Sequence, residues 1–339
     1  MGPVPRWVVA VVGVAAVVIA ADIAIFVGAR GSSAKPRSLS PNGAVAVIDP
    51  KSGRVVSSVE VGRNPTAIMA GYGGVWVLNR GEGTVAHIDA RTGKLVSTLQ
   101  PNATANTLSL GAGGVWFAGP PRGISAPLQD AKLERINPGT GAVDRQFDTT
   151  TGASVVAAAG RDLWSTGYLG DHIRGAARSD ATTGRMRRVD IPIYGDLVTA
   201  DDDAAYYVGT LGKRVARVSA RTGRLTSSMT LATDASLAAG VVPPDPTGVA
   251  IGGDSIWISE SDGTVLRIDR RLKGITASIP ACQNALAIAY GEGGVWTACG
   301  NGTVVRVDPA TDQPSRVVAV GRLPQGIAAG EGAIWVTLG

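Results

Sequence analysis

The sequence predicts an all-β fold, a seven-bladed β-propeller, from a strand phrase, a turn phrase and the spacing between them. The strand phrase Gly-Gly-Val-Trp occurs at 73–76, 113–116 and 293–296, and shortened forms occur at 255–257 and 333–335. The turn phrase, Ile-Asp or Ile-Asn followed by three residues and then a glycine, occurs at 48–53, 88–93 and 136–141. Short apolar runs between such turns are typical of four-stranded blades.

The interval between the two phrases is constant. In six repeats the aromatic residue follows the end of the turn phrase by 23 positions: 53 to 76, 93 to 116, 141 to 164, 184 to 207, 273 to 296 and 312 to 335. Tyr207 fills the aromatic position in one of them. The seventh interval, 223 to 257, carries an insertion. A period of about 40 residues favours a propeller over other repeat arrays.

The two ends of the repeat region complement each other. Residues 43–58 supply the third and fourth strands of a blade, and residues 326–337 supply the first and second strands. We expect these ends to combine in one shared blade, which closes the ring and removes open sheet edges.

The combined phrase Gly-x-Gly-Gly-Val-Trp-Val with Gly-Thr-Val-x-x-Ile-Asp-x-x-Thr-Gly resembles the repeats of YVTN/YncE-type, streptogramin-lyase-like seven-bladed propellers. The resemblance covers residues 42–339. It implies the architecture and leaves activity open, because propellers host many functions. WD40 repeats are disfavoured because no Trp-Asp pair ends a strand, and the placement of the tryptophans does not support a quinone cofactor.

Four segments follow from composition: a tail at 1–6, an apolar segment at 7–28, a Ser/Pro/basic linker at 29–41 and the propeller at 42–339. The apolar segment would be about 33 Å long as a helix, enough to span a bilayer. We expect an uncleaved single-pass anchor with the propeller outside the cytoplasm. The alternative is a signal peptide cleaved near Ala29, which would release a secreted protein.

The charge pattern bears on topology and on partners. Three basic residues follow the apolar segment and one precedes it, a bias that favours the opposite orientation. Of the net charge of +5, the first 37 residues carry +3 and the propeller only +2. This balance predicts no nucleic-acid partner.

Cys282 and Cys299 are the two cysteines of the chain. Cys282 precedes the first strand of the last full blade and Cys299 ends its second strand, so both belong to one face of one blade. A disulfide fits this placement and an oxidising compartment, and two reduced, half-buried thiols fit it as well.

Length variation points to one binding face. Extra residues lie at about 119–131, 167–175 and 232–245, all in connections that reach the same face of the ring as the cysteines. Insertions concentrated on one face of a rigid scaffold are typical of a binding surface, and neutral loop variation is the alternative.

Several polar residues are candidate ligand-binding residues at the channel mouth on that face. Asn64, Asp245 and Asn284 take one equivalent position before the first strand of their blades; Gln283 and Gln325 lie beside it. Such oxygen-rich side chains could bind a small polar ligand or a divalent cation, and no other cofactor is predicted. Asparagine and aspartate that merely stabilise turns are the alternative.

Few residues could act as catalysts. His172 and Arg174 lie on an inserted loop, where His172 is the better candidate for a general base, whereas His87 is expected to be an exposed strand residue. The phrase Trp-Ile-Ser-Glu, ending at Glu260, resembles a streptogramin-lyase repeat. Neither histidine has the neighbouring glutamate that such enzymes use.

The sequence therefore predicts an exported, membrane-tethered propeller that binds a small polar ligand or a protein partner as a scaffold. The alternative is a lyase-like or hydrolase enzyme with a metal-assisted site formed by His172, Glu260 or Asp245.

Overall fold

The computed structural model describes residues 43–120, 131–149, 152–168, 174–193, 195–210, 212–231 and 243–339. Within these ranges the secondary structure consists of β-strands, and none of it is a helix that could cross a bilayer. The predicted anchor at 7–28 and the linker lie outside the described residues.

The strands are numbered in chain order and grouped into blades, whose four strands are called A to D from the centre outward. Blade 1 combines β27 (Pro324–Gly330) and β28 (Ala333–Leu338) with β1 (Ala44–Asp49) and β2 (Arg54–Glu60). Blade 2 contains β3 (Pro65–Gly71), β4 (Gly74–Asn79), β5 (Thr84–Asp89) and β6 (Lys94–Leu99). Blade 3 contains β7 (Leu108–Gly111), β8 (Gly114–Gly119), β9 (Lys132–Ile136) and β10 (Val143–Asp148).

The remaining blades follow the same order. Blade 4 contains β11 (Ala153–Ala159), β12 (Asp162–Tyr168), β13 (Arg174–Asp180) and β14 (Met186–Val189). Blade 5 contains β15 (Leu197–Ala200), β16 (Ala204–Gly209), β17 (Arg214–Ser219) and β18 (Leu225–Thr230). Blade 6 contains β19 (Pro246–Gly252), β20 (Ser255–Glu260), β21 (Thr264–Asp269) and β22 (Ile275–Pro280). Blade 7 contains β23 (Ala285–Gly291), β24 (Gly294–Cys299), β25 (Thr303–Asp308) and β26 (Gln313–Ala319).

These strands form seven antiparallel, four-stranded sheets in the described ranges. The first strands of neighbouring blades contact one another around the centre. Blade 1 draws its strands from both ends of the repeat region, because β1 pairs with β28 from Ala44 opposite Leu338 to Ile48 opposite Ile334. The protein is an all-β, seven-bladed propeller.

The core lies between the blades. Seven apolar clusters in the described residues each combine side chains of two adjacent blades. The strand-B tryptophans are at most 1% exposed: Trp76, Trp116, Trp164, Trp257, Trp296 and Trp335. One blade cannot bury these rings alone, so packing between blades stabilises the ring.

The register corrects one expectation. Tyr206, not Tyr207, is the counterpart of the strand-B tryptophans, because it pairs with Arg217 as Trp257 pairs with Arg267. Tyr207 points to the other side of the sheet and packs against blade 4. Blade 5 has one residue fewer than its neighbours between its preceding turn and its aromatic position, which an alignment by interval alone does not detect.

His87 is half-buried, not exposed as expected. Its ring lies parallel to the indole of Trp76, with the ring centres 3.9 Å apart. Arginines cover the equivalent indoles in blades 4, 6 and 7. Burial lowers the pKa of His87, against the opposing charge of Asp89. His87 therefore caps a tryptophan as arginine does elsewhere.

The ring has two different faces. The turn face carries the A–B and C–D turns, and the loop face carries the B–C and D–A connections. In the C–D turns of the blades other than blade 5, an Asp or Asn side chain accepts an N–H two or three residues later, as Asp89 does from Thr92 at 2.6 Å and Asp180 from Thr183 at 2.8 Å. These bonds lower the pKa of both carboxyls and hold the tight hairpins that the turn phrase predicts.

Candidate functional site

Three of the predicted ligand-binding residues occupy one equivalent position on the loop face. The carbonyl oxygens of Asn64, Asp245 and Asn284 each accept the N–H of the residue that follows strand B in the same blade, at 2.9, 2.8 and 2.8 Å. All three side chains belong to exposed residues. The structure thus supports the alignment on which the prediction depended.

The backbone gives the asparagines a local role as well. Asn64 has φ 51° and Asn284 has φ 56°, and asparagine enters this left-handed region more readily than most residues. The residue type at these two positions therefore has a conformational reason besides any ligand. Gln283 is exposed and directly precedes Asn284, whereas Gln325 is half-buried as the second residue of β27.

A buried carboxyl lies beside the third member of this set. Glu260 ends strand B of blade 6, opposite Pro246, and is 4% exposed. Burial, with a smaller contribution from the charge of Asp262, raises the pKa of Glu260 to about 7 against the opposing charge of Lys213. Within the described residues no group donates a hydrogen bond to its carboxylate.

An ion pair between blades borders Glu260. The ammonium of Lys213, in the B–C connection of blade 5, contacts the carboxylate of Asp245, which precedes blade 6. The backbone N–H of Asp245 donates to the hydroxyl of Ser261 at 3.0 Å. Lys213, Asp245 and Glu260 thus form a charged cluster where blades 5 and 6 meet on the loop face. A carboxyl with a pKa near neutrality in such surroundings can exchange a proton at physiological pH.

The two cysteines are joined. The sulfurs of Cys282 and Cys299 form a disulfide whose Cα atoms lie 6.2 Å apart, within the range of ordinary disulfides. The bond ties the D–A connection of blade 7 to the end of its strand B and so holds the backbone next to Asn284. A loop of this length predicts a stabilisation of about 3 kcal/mol.

The remaining predicted residues are only partly described. His172 lies outside the described residues, as do most of the three insertions. Arg174 is described by its backbone alone, as the first residue of β13, paired with Tyr168. The expected insertion at 167–175 thus partly lengthens a strand hairpin. Across the described ranges no three side chains among His, Cys, Asp and Glu are grouped to hold a metal ion.

Sequence reasoning missed a cleft on the turn face. It lies between blades 4 and 5 and encloses about 510 Å³. Its lining combines Gly160, Arg161 and Asp162 of blade 4 with Asp202 and Arg221 of blade 5. The sequence carried a signal, because both A–B turns here depart from the Gly-x-Gly-Gly phrase.

A second cavity of about 400 Å³ adjoins the first and shares Asp162, Arg178 and Asp180 with it. Arg178 donates to Asp162 at 2.7 Å, and its guanidinium lies 5.1 Å from the centre of the Trp164 ring. The outer end of this cavity is lined by Arg185 and Arg187. The cleft therefore runs from the inner turns of blade 4 to its outer strand.

The fold and the two charged regions define a class of protein, a seven-bladed β-propeller whose surface features are suited to binding. A match to a family model shows which family of propellers the chain belongs to. The chain belongs to the family described as outer membrane protein assembly factor BamB, whose model matches residues 41–276. No curated protein matches the chain. The YVTN/YncE-type assignment suggested by the repeat phrase stays a prediction.

Proposed function

We propose that this protein is an extracytoplasmic, membrane-tethered propeller that binds protein partners and acts as a scaffold. The match to a family described as an assembly factor carries the proposal, because assembly requires contact with other proteins. The propeller supports it, since a closed ring presents many connections on a rigid frame. The proposal also includes three expectations from the sequence. The shared blade closes the ring, the protein has no nucleic-acid partner, and the chain falls within the narrower group of YVTN/YncE-type propellers.

The compartment is proposed from two features. The apolar segment at 7–28 is long enough for a membrane anchor. The Cys282–Cys299 disulfide is typical of an oxidising compartment such as the periplasm or the cell exterior. We give the disulfide more weight than the basic residues that follow the segment, because few charges are involved.

Labelling of the cysteines in intact cells tests the compartment. We expect a membrane-impermeant maleimide to label neither cysteine without reductant and both after treatment with an external, impermeant reductant. The same labelling after membrane permeabilisation serves as the control. Free thiols that become reactive only in permeabilised cells would contradict export.

The partner surface is assigned to the loop face. It carries the insertions and the equivalent residues Asn64 and Asn284, both exposed. These residues, together with Asp245, Gln283 and Gln325, could also bind a small polar ligand or a divalent cation, and the proposal includes no other cofactor.

Photo-crosslinking in cells tests this face. A benzoylphenylalanine at position 64 or 284 should give a defined crosslinked protein, whereas one at position 91, an exposed site on the turn face, should not. A pattern that does not differ between the two faces would contradict the assignment.

Glu260 favours a second candidate function, a lyase-like or hydrolase activity at the channel mouth. A buried carboxyl with a pKa raised to about 7 is suited to general acid or base catalysis. Asp245 and Lys213 could bind a polar substrate beside it. His172 and a divalent cation would complete the metal-assisted site that the sequence suggests.

Turnover of a small cyclic ester, with and without a chelator, tests this alternative. Enzyme function predicts chelator-sensitive turnover that Glu260→Gln and His172→Ala each abolish, with Glu82→Gln on the same face unchanged. Activity that is equal in all three variants would exclude these residues as catalysts.

A further inference from the structure

The cleft between blades 4 and 5 differs on the turn face from the junctions that follow blades 7 and 1. In blades 7 and 1 the second residue of the A–B turn is a glutamate that reaches the next blade. Glu292 accepts the N–H of Gly332, and Glu331 accepts that of Gly73, both at 3.0 Å. In blade 4 the same position is Gly160, which has no side chain to extend.

The second residue of this turn has a similar φ in the blades compared: Gly160 has φ 57°, Glu292 has φ 49° and Glu331 has φ 55°. The third residue differs, because Gly293 and Gly332 have φ 75° and 79°, whereas the φ of Arg161 is not positive. The open cleft therefore goes together with both a missing side chain and a different turn. Within the described residues no hydrogen bond or ion pair joins the A–B turn of blade 4 to that of blade 5.

The charges in the cleft are unevenly distributed. Arg178 is neutralised by Asp162 at 2.7 Å, and Arg161 lies 3.4 Å from Asp180. Arg185 and Arg187 at the outer end and Arg221 in the first cavity have no ion pair to any described residue. The inner end holds the carboxylate of Asp202, which is likewise without such a pair.

The register between β13 and β14 places two positive charges opposite each other. Arg187 of β14 lies directly opposite Arg178 of β13. Like charges in this arrangement destabilise a sheet. An anion bound at the outer end would offset the repulsion, and guanidinium groups are well suited to carboxylates.

The dimensions fit an extended peptide. The cleft spans strands A to D, three spacings between strands, or about 14 Å. An extended chain of four residues covers about 13 Å. The propeller carries a net charge of only +2, which disfavours a nucleic acid as the occupant.

We propose that this cleft is a second binding site, separate from the loop face, for an extended acidic polypeptide segment of a partner protein. Acidic side chains of the segment would bind Arg185, Arg187 and Arg221 at the rim, and a basic or N–H group would face Asp202. The site would make the propeller two-sided, with a different partner surface on each face.

Binding of a labelled peptide tests the site. The probe is a fluorescein-labelled pentapeptide, Lys-Ala-Ala-Glu-Glu, measured by fluorescence anisotropy on the full chain in about 50 mM salt, within the range where charge contacts are weakly screened. We expect Arg187→Gln and Arg221→Gln each to weaken binding by about tenfold. A probe with both glutamates replaced by glutamine should lose most of its affinity.

The chain offers a matched control. Arg91 occupies the same position in the C–D turn of blade 2 as Arg221 does in blade 5, and both residues are exposed. Arg91→Gln should leave binding unchanged. Equal weakening by Arg91→Gln would show nonspecific attraction to a basic protein and overturn the proposal.

A variant that fills the cleft gives an independent test. Gly160→Glu places a carboxylate at the position that Glu292 and Glu331 occupy, with a similar φ and next to Asp202, and should abolish probe binding with the melting temperature kept within a few degrees. Retained binding, no binding by the native protein, or displacement by an oligonucleotide of equal charge would each refute the proposal. Failure here leaves the crosslinking of positions 64 and 284 unaffected, so the two proposals can fail separately.

Discussion

The junction between blades 7 and 1 and the junction between blades 4 and 5 join blades of the same architecture. On the turn face the first junction is closed by a side chain and the second is open. In blades 7 and 1 strand A has seven residues. The indoles of Trp296 and Trp335 donate hydrogen bonds to strand-A carbonyls at 3.2 and 3.1 Å. On the turn face, a glutamate of blade 7 accepts a hydrogen bond from blade 1. In blade 5 strand A has four residues, and the junction with blade 4 is an open, charged cleft.

The difference shows how a repeat fold gains local variety. Both regions retain the buried aromatic residues that hold the sheets together, so the ring tolerates changes at exposed turn positions. In blades 7 and 1 the second residue of the A–B turn is a glutamate that bonds to the next blade, and in blade 4 that residue is Gly160, which has no side chain to do so. The regular blades contribute mainly stability, and the irregular ones are available for binding.

The largest effect is expected from loss of the shared blade. Deleting residues 325–339 removes β28, with the buried Trp335, and all but the first residue of β27, and so leaves β1 without its partner strand. Truncating one buried tryptophan alone costs about 3–5 kcal/mol, so we expect loss of the cooperative melting transition. Calorimetry of the truncated and full propellers measures it. A transition as sharp as that of the full chain would show that closure does not support the ring.

A smaller effect is expected in blade 7. Reduction of the Cys282–Cys299 disulfide should lower the free energy of unfolding by about 3 kcal/mol, because the unfolded chain regains freedom. Urea denaturation with and without reductant measures this loss. A variant with both cysteines replaced by alanine is the control, and it should not respond to reductant. The prediction fails if reductant leaves the free energy of unfolding of the native protein unchanged as well.

The charged cluster at blades 5 and 6 should make stability depend on pH. The folded-state pKa of Glu260 is raised from 4.5 to about 7, so stability is full below pH 4.5, falls between pH 4.5 and 7, and levels off above pH 7. Glu260→Gln should be more stable than the native protein by about 2 kcal/mol at pH 8 and equal to it near pH 4.5. Denaturation curves at both pH values measure the difference. A gap of the same size at both would exclude titration as the cause.

The smallest effect concerns a single hydrogen bond between blades. Glu331→Ala removes the acceptor for the Gly73 N–H and should lower the free energy of unfolding by about 1 kcal/mol. Glu331→Gln retains an acceptor oxygen and should lose less. Ala112, at the same position in blade 3, shows that alanine is compatible with this turn. No loss in either variant would mean that the glutamate does not stabilise the junction.

Much of the loop face followed from local patterns. The equivalence of Asn64, Asp245 and Asn284 and the pairing of the cysteines could be inferred because each depends on position within one blade. Glu260 was recognised as a candidate, but its raised pKa depends on burial and on Lys213 from the neighbouring blade. The shift from Tyr207 to Tyr206 required the strand register, since spacing alone cannot reveal a shortened connection.

The repeat spacing and the turn chemistry specified the propeller and the placement of its strands, because both act over short stretches of chain. The tertiary structure decided which junctions close and which stay open. The Gly160 cleft and the unpaired arginines at its rim arise where two blades meet. Such contacts depend on residues some 40 positions apart, and local sequence carries little information about them.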